Sequence, residues 1–290
     1  MNHILDPHLA SLLGQRNVDR RTFVVTTLGA GFAAAVLPVS AQTIKTPTTG
    51  LVAGEVKVPA KGGDMVAYRA MPATGANFPV ILVASEVFGV HEYIKDVCRR
   101  LAKNGYYAIA PELFARYGNA RGYSDVSKLL SEVVSKASDA QVDADLDACV
   151  AFAKASGKAE TMRLGITGFC WGGRVVYMYA AHNPDVRAAV AWYGTPAQAF
   201  HPGDKTPMDV AGQIKAPVLG LYGGGDTGIP REQLERMYAA LKATSPRSEY
   251  KLYEAAQHGF HADYRPSYVK DAAEDGWKRC LAWLEAHGVA

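Results

Sequence analysis

Short continuous apolar runs alternate along this chain with stretches whose apolar residues recur at helical spacing. Pro79–Ala84, Tyr106–Ala110, Met162–Thr167, Ala188–Tyr193, Pro217–Tyr222 and Glu249–Tyr253 have the length and apolar or alternating character of strands. Between them, His91–Asn104 carries apolar residues at Ile94, Val97, Leu101 and Ala102, and Gly105 stands where a helix C-terminus needs glycine. Ser124–Ser156, as two helices, Gly173–His182, Glu232–Ala243 and Pro266–His287 read as further helices, the last with Ala273, Trp277, Cys280, Leu281 and Leu284 on one face. Ahead of this alternation, Gly54–Pro59 and Met65–Ala70 flank the breaker cluster Lys61-Gly62-Gly63, which predicts a hairpin. Mostly apolar strands that alternate with helices predict an α/β fold with a mostly parallel central sheet and helices on both faces.

That architecture directs attention to the carboxyl ends of the strands, where open α/β sheets gather their functional groups. The chemistry-bearing residues there are Glu86, Arg116, Cys170, Asp226 and His258. Composition adds mainly exclusions. The chain has 290 residues, 31 basic and 28 acidic, for a net charge of +3, so no single-sign field or charged tail points to nucleic acid. Four cysteines, with no C-x-x-C pair, do not make a disulfide framework or a thiolate zinc site. Cys98, Cys149 and Cys280 fall on apolar helical faces and read as core residues, although a disulfide among them stays open.

The N-terminus differs in kind. Arg20-Arg21 precede the apolar segment Val24–Leu37, and Val39-Ser40-Ala41 offers small residues for cleavage. This resembles a twin-arginine export signal. The apolar stretch is about 14 residues, short of the roughly 20 that span a bilayer, so no stable membrane anchor is expected. The resulting organisation is a signal over 1–41, a linker over 42–53 and one α/β domain over 54–290. The resemblance implies passage through the twin-arginine machinery to the periplasm.

Gly168-Phe-Cys170-Trp-Gly172 lies between an apolar strand and a helix. A strand-to-helix bend this tight needs small flanking residues, and it exposes the central side chain beside amides that can hold an oxyanion. Cys170, Asp226 and His258 then follow in the order nucleophile, acid, base. Histidine can take the thiol proton and return it to a leaving group, while the carboxylate fixes its tautomer.

Gly168-Phe-Cys-Trp-Gly-Gly173, Ala84-Ser-Glu86-Val-Phe-Gly89, Pro111-Glu-Leu-Phe-Ala-Arg116 and His258-Gly-Phe260 together resemble the dienelactone hydrolase (carboxymethylenebutenolidase) family, α/β-hydrolases with a Cys-His-Asp triad. The resemblance runs from about Gly54 to the C-terminus. It implies an acyl-enzyme route to small lactones or esters without a cofactor. It implies also that Glu86 accepts the thiol proton on demand, that the N–H groups of Val87 and Trp171 form the oxyanion hole, and that Arg116 binds a substrate carboxylate. Tyr193 and Phe260 are candidate pocket residues. The family's second substrate arginine is expected four residues after the histidine, where this chain has Ala262; Arg265 follows nearby.

Each motif has a plainer reading. A lone cysteine is usually core, and Gly223-Gly-Gly225 is a turn that presents Asp226, since it lacks the residues of a P-loop. His258, His261 and Asp263 lack a third histidine in reach, so no metal is expected. A non-catalytic periplasmic binding protein and an acyltransferase are the alternatives to a hydrolase.

Overall fold

The computed structural model describes residues 43–290; the signal expected over 1–41 lies outside the described residues. A hairpin opens the fold: β1 (Leu51–Ala60) and β2 (Gly63–Pro72) pair antiparallel about the Lys61-Gly62 turn. β1 starts three residues before the expected domain edge at Gly54, because Leu51, Val52 and Ala53 find ladder partners in Pro72, Met71 and Ala70. The alternating part follows as β3 (Phe78–Ala84), α1 (Glu92–Lys103), β4 (Tyr107–Pro111), α2 (Val126–Glu132), α3 (Asp139–Ala155), β5 (Ala159–Phe169), α4 (Trp171–His182) and β6 (Val186–Trp192). A short α5 (Pro207–Val210), β7 (Val218–Gly223), α6 (Arg231–Leu241), β8 (Glu249–Tyr253) and α7 (Lys270–Ala286) complete it.

α5 and α7 depart from the expected pattern as well, and β5 runs past both ends of the expected Met162–Thr167. α5 is a single capped turn held by a reciprocal Thr206–Asp209 capping box, too short for periodicity to reveal. α7 begins at Lys270 rather than Pro266, because Val269 is tied by its N–H to the Phe260 carbonyl and belongs to the preceding loop.

The eight strands lie in the order β1-β2-β4-β3-β5-β6-β7-β8, parallel from β4 onward. The chain leaves β3 for β4 on one side, then returns to place β5 on the other. The strand order therefore reverses between β3 and β5, and open sheets form their ligand crevice at such a reversal, beyond the strand C-termini. In register, Ala84 of β3 sits beside Gly168 of β5, so the residues that follow each strand emerge together. Glu86 follows the first and Cys170 the second.

The central strands hold this geometry rigidly. Pro79–Ala84 and Leu164–Phe169 are buried throughout, and each fully buried Val, Leu or Ile contributes about 1.5–3 kcal/mol relative to exposure. Arg174, 1% exposed, anchors α4 by forking onto Asp139 of α3 at 2.6 and 2.8 Å while also donating to the Gln198 and Lys205 carbonyls. Cys98, Cys149, Cys170 and Cys280 are all free thiols. Burial pushes Cys98, Cys149 and Cys280 up, Cys280 to about 12, so these three are inert core groups.

Candidate active site

Cys170 is the residue before α4 and takes φ 58°, ψ −117°, a conformation that costs a residue with a Cβ about 1–3 kcal/mol. The turn closes this tightly because its flanks carry no side chain. A Cβ on Gly172 would lie 2.2 Å from the Ala84 carbonyl oxygen, and one on Gly168 would lie 2.2 Å from that of Gly172. α4 therefore butts directly against the end of β3. The Cys170 N–H is held by the Trp192 carbonyl at 3.0 Å. Trp171 is the first residue of α4, so its N–H has no acceptor within the helix, and Val87 follows Glu86 at the facing turn.

His258 and Asp226, both buried, arrive from the loops after β8 and β7. His258 Nδ1 meets Asp226 Oδ2 at 2.6 Å, and the other Asp226 oxygen accepts the Gly228 N–H at 2.9 Å. Burial works against an imidazolium, but the Asp226 carboxylate and the adjacent Cys170 sulfur outweigh it and push His258 up to about 10. Of the groups weighed as metal ligands, His261 Nδ1 is 2.6 Å from the Tyr93 hydroxyl, and Asp263 accepts from Ile44 and Arg100, so the three residues address different partners.

Glu86 is fully buried and surrounded by donors. Arg265 Nη2 stands 3.1 Å from Oε1, close enough for an ion pair though out of line for a hydrogen bond. The Tyr264 hydroxyl donates to Oε2, and His91 Nε2 is 3.5 Å from the same oxygen. Burial alone would raise this carboxyl; the Arg265 charge, aided by His91 and Tyr264, reverses that and brings it down to about 2. The field of Glu86 also reaches the hydroxyls of Tyr93 and Tyr193, and both phenols are pushed well up, first by burial.

The remaining sequence candidates divide. Tyr193 follows β6 with φ 40°, and its ring meets that of His258 edge-on at 5.1 Å. Its buried hydroxyl meets that of Tyr93. Phe260 packs on Tyr193 and Tyr253 at 5.5 and 5.1 Å and belongs to the wall behind the histidine. Arg116 is not brought into this cluster. Its guanidinium forks onto buried Asp145 of α3 at 2.5 and 2.9 Å and donates to the Lys61 carbonyl. A cleft of about 700 Å³ opens beside the cluster, lined by His91 and Tyr264, which touch Glu86, and by Tyr93, Thr43, Ile44 and Lys45; Cys170 is not among its lining residues.

Sequence reasoning missed Tyr264, His91 and the position of Arg265. The sequence shows Tyr264-Arg265 as adjacent donors after His258 but not the carboxylate that they address. The contact spans 178 residues, and no local period marks it.

A mostly parallel sheet reversing at a glycine-flanked strand-to-helix turn, with a His–Asp pair supplied from the loops after the last two strands, is the arrangement of an α/β-hydrolase. Residues 65–288 match the dienelactone hydrolase family, and the chain belongs to it. A Methylorubrum extorquens protein named "putative carboxymethylenebutenolidase" is 57% identical over 98% of this chain and 99% of its own length. An Escherichia coli (strain K12) protein of the same name is 47% identical over 91% of this chain and 98% of its own. The crystal structure of a "putative dienelactone hydrolase" from Klebsiella pneumoniae subsp. pneumoniae is 48% identical and superposes with a TM-score of 0.78, covering 81% of this chain and 98% of that one. The protein is accordingly a dienelactone hydrolase-like enzyme.

Proposed function

We propose that this hydrolase opens small lactones or cleaves small esters through a Cys170 acyl-enzyme, with His258 and Asp226 as its proton-handling pair and Glu86 as the acceptor of the thiol proton. The observation that carries the reading is the meeting of three groups from distant parts of the chain: a thiol in a strained turn, a His–Asp pair at 2.6 Å beside it, and a carboxylate held ionised at the neighbouring strand end. Glu86 takes the thiol proton as substrate enters. The thiolate attacks the carbonyl carbon, and the N–H groups of Val87 and Trp171 stabilise the oxyanion. The Asp226 carboxylate, and the Cys170 sulfur once it is a thiolate, favour the imidazolium, so His258 can give its proton to the departing oxygen. Neutral His258 then deprotonates water, which attacks the thioester and releases the acid. The departing thiolate recovers its proton from Glu86. The family membership and the absence of any required electron transfer support a reaction complete without a cofactor.

The test is a screen of lactones and short esters, in paired carboxylate and neutral forms, with added alcohols to expose acyl transfer. Hydrolysis of small substrates at a thiol protected from iodoacetamide by their analogues is the expected result; turnover that survives full alkylation would overturn it. Arg116 enters here as a substrate anchor only if it leaves Asp145. Arg116→Ala is then expected to raise KM at least about 5-fold for the carboxylate forms alone. An equal effect on neutral forms assigns Arg116 to structure.

Export to the periplasm is part of the same proposal and rests on Arg20-Arg21 ahead of Val24–Leu37. Replacing both arginines with lysine is expected to leave the protein in the cytoplasmic fraction, and undiminished periplasmic activity would refute it.

A further inference from the structure

The segment expected to be a linker is bound to the domain. Its N–H groups at Ile44 and Thr46, two residues apart as on one edge of an extended chain, each meet a buried carboxylate: Ile44 N–H donates to Asp263 Oδ2 and Thr46 N–H to Asp96 Oδ1, both at 2.6 Å. The Thr46 hydroxyl adds a second bond to Asp96 at 3.3 Å. Arg100 sits between the two acids, its Nε 2.6 Å from Asp96 and its Nη2 3.3 Å from Asp263, and Arg99 also reaches Asp96 at 3.1 Å. Asp96 is 1% and Asp263 2% exposed, so the charge pairing operates away from water. Further along, Lys103 at the end of α1 donates to the Thr49 carbonyl.

Asp263 ties this strap to the chemistry. It immediately precedes Tyr264 and Arg265, the two residues that hold Glu86, and lies five residues after His258. The loop between closes short turns from the Ala262 and Arg265 N–H groups onto Gly259 and Ala262, and His261 within it meets the Tyr93 hydroxyl at 2.6 Å. The attachment of Asp263 to Arg100 and Ile44 adds the fixed point that lies directly beside Tyr264 and Arg265. Thr43, Ile44 and Lys45 also form one side of the cleft that His91 and Tyr264 line.

We propose that Thr43–Thr46 is a positioning strap of the active site, fixing through Asp263 the loop whose Tyr264 and Arg265 keep Glu86 poised to accept the Cys170 proton. The proposal rests on the Glu86 role given above. A signal cleaved after Ala41 would leave the whole strap on the mature enzyme, whereas cleavage a few residues later would remove it.

The decisive substitution is Ile44→Pro in the full chain, which deletes the strap's own N–H to Asp263, leaves Asp263 its Arg100 partner and keeps an apolar residue in an extended segment. Asp263→Ala removes the other half of the contact, leaving Arg100 its Asp96 partner. Three readouts are taken: melting temperature, the pH dependence of kcat/KM on p-nitrophenyl acetate, and the rate of Cys170 alkylation by iodoacetamide. The groups facing Glu86 are Arg265, Tyr264 and His261 from the loop, His91 and Tyr93 from the start of α1, and Tyr193 after β6. Loosening the first two weakens what holds the carboxylate ionised, so the acid limb of kcat/KM should move to higher pH.

The expected result for both variants is a cooperative melt, kcat/KM at least about 10-fold lower at pH 7, an acid limb displaced upward, and slower alkylation of Cys170. Reduced activity with an unmoved acid limb and unchanged alkylation assigns the strap to stability alone and overturns the proposal. Undiminished activity overturns it as well. If Asp263→Ala does not fold, Ile44→Pro decides. Glu86→Gln, measured alongside, separates the two ideas: if it is as active as the unaltered protein, the Glu86 reading itself fails; if it is impaired while Ile44→Pro is not, only the strap fails.

Discussion

Cys170→Ala is expected to lower kcat/KM for p-nitrophenyl acetate by at least about 10³-fold, since a nucleophile that forms the covalent intermediate has no local substitute. The other three thiols are buried and pushed up by burial, so they cannot take over. Stability should change little by comparison. Cys170 is 2% exposed, and removing one sulfur leaves a small cavity costing on the order of 1 kcal/mol. Alanine keeps the Cβ and hence the strain at φ 58°. Cys170→Gly, equally inactive, relieves that strain and should be no less stable than the alanine variant, despite glycine's greater entropy in the unfolded chain. Turnover above a tenth of the original in either variant would remove the thiol from the mechanism.

Much of this site was legible from order along the chain, for a physical reason. Parallel strands carry their loops at one end of the sheet, so motifs after successive strands converge without any knowledge of side chains. That brought Glu86, Cys170, Asp226 and His258 to one rim, and β8 was bounded as observed. Arg116 shows where this logic stops. Its loop is at the correct rim, but a guanidinium goes to the strongest acceptor within reach, and Asp145 lies on a helix whose facing the sequence did not define. The strap was illegible for a related reason. Thr43–Thr49 has no apolar period, and its order comes from backbone N–H groups, which every sequence possesses, meeting two aspartates 50 and 219 residues away. Arg265 was visible as a residue and unplaceable as a charge, because its role depends on a contact with Glu86 across the whole domain.

That contact carries the second large prediction. Glu86→Gln preserves volume and removes the charge, leaving Arg265 buried at 3% exposure without its counter-ion. Breaking a buried pair from one side costs about 3–5 kcal/mol. The acid–base linkage gives a similar size: a fully buried carboxyl brought from an ordinary 4.5 to about 2 represents on the order of 3 kcal/mol. The sign follows from a lowered folded-state value. The stabilisation is fully present above about pH 4.5 and is lost as pH falls through about 2, so the unaltered protein should lose stability over that window and Glu86→Gln should lack that contribution. Activity should fall by at least about 10²-fold at pH 7, because an amide cannot accept the thiol proton. Adding Arg265→Met separates the two effects. Replacing both halves of a buried pair with apolar or neutral groups removes the uncompensated charge, so the double variant should regain most of the lost melting temperature while staying as inactive as the single one. Restored activity in the double variant would mean that Glu86 serves only to neutralise Arg265. Full activity in Glu86→Gln alone would send the thiol proton to His258 instead.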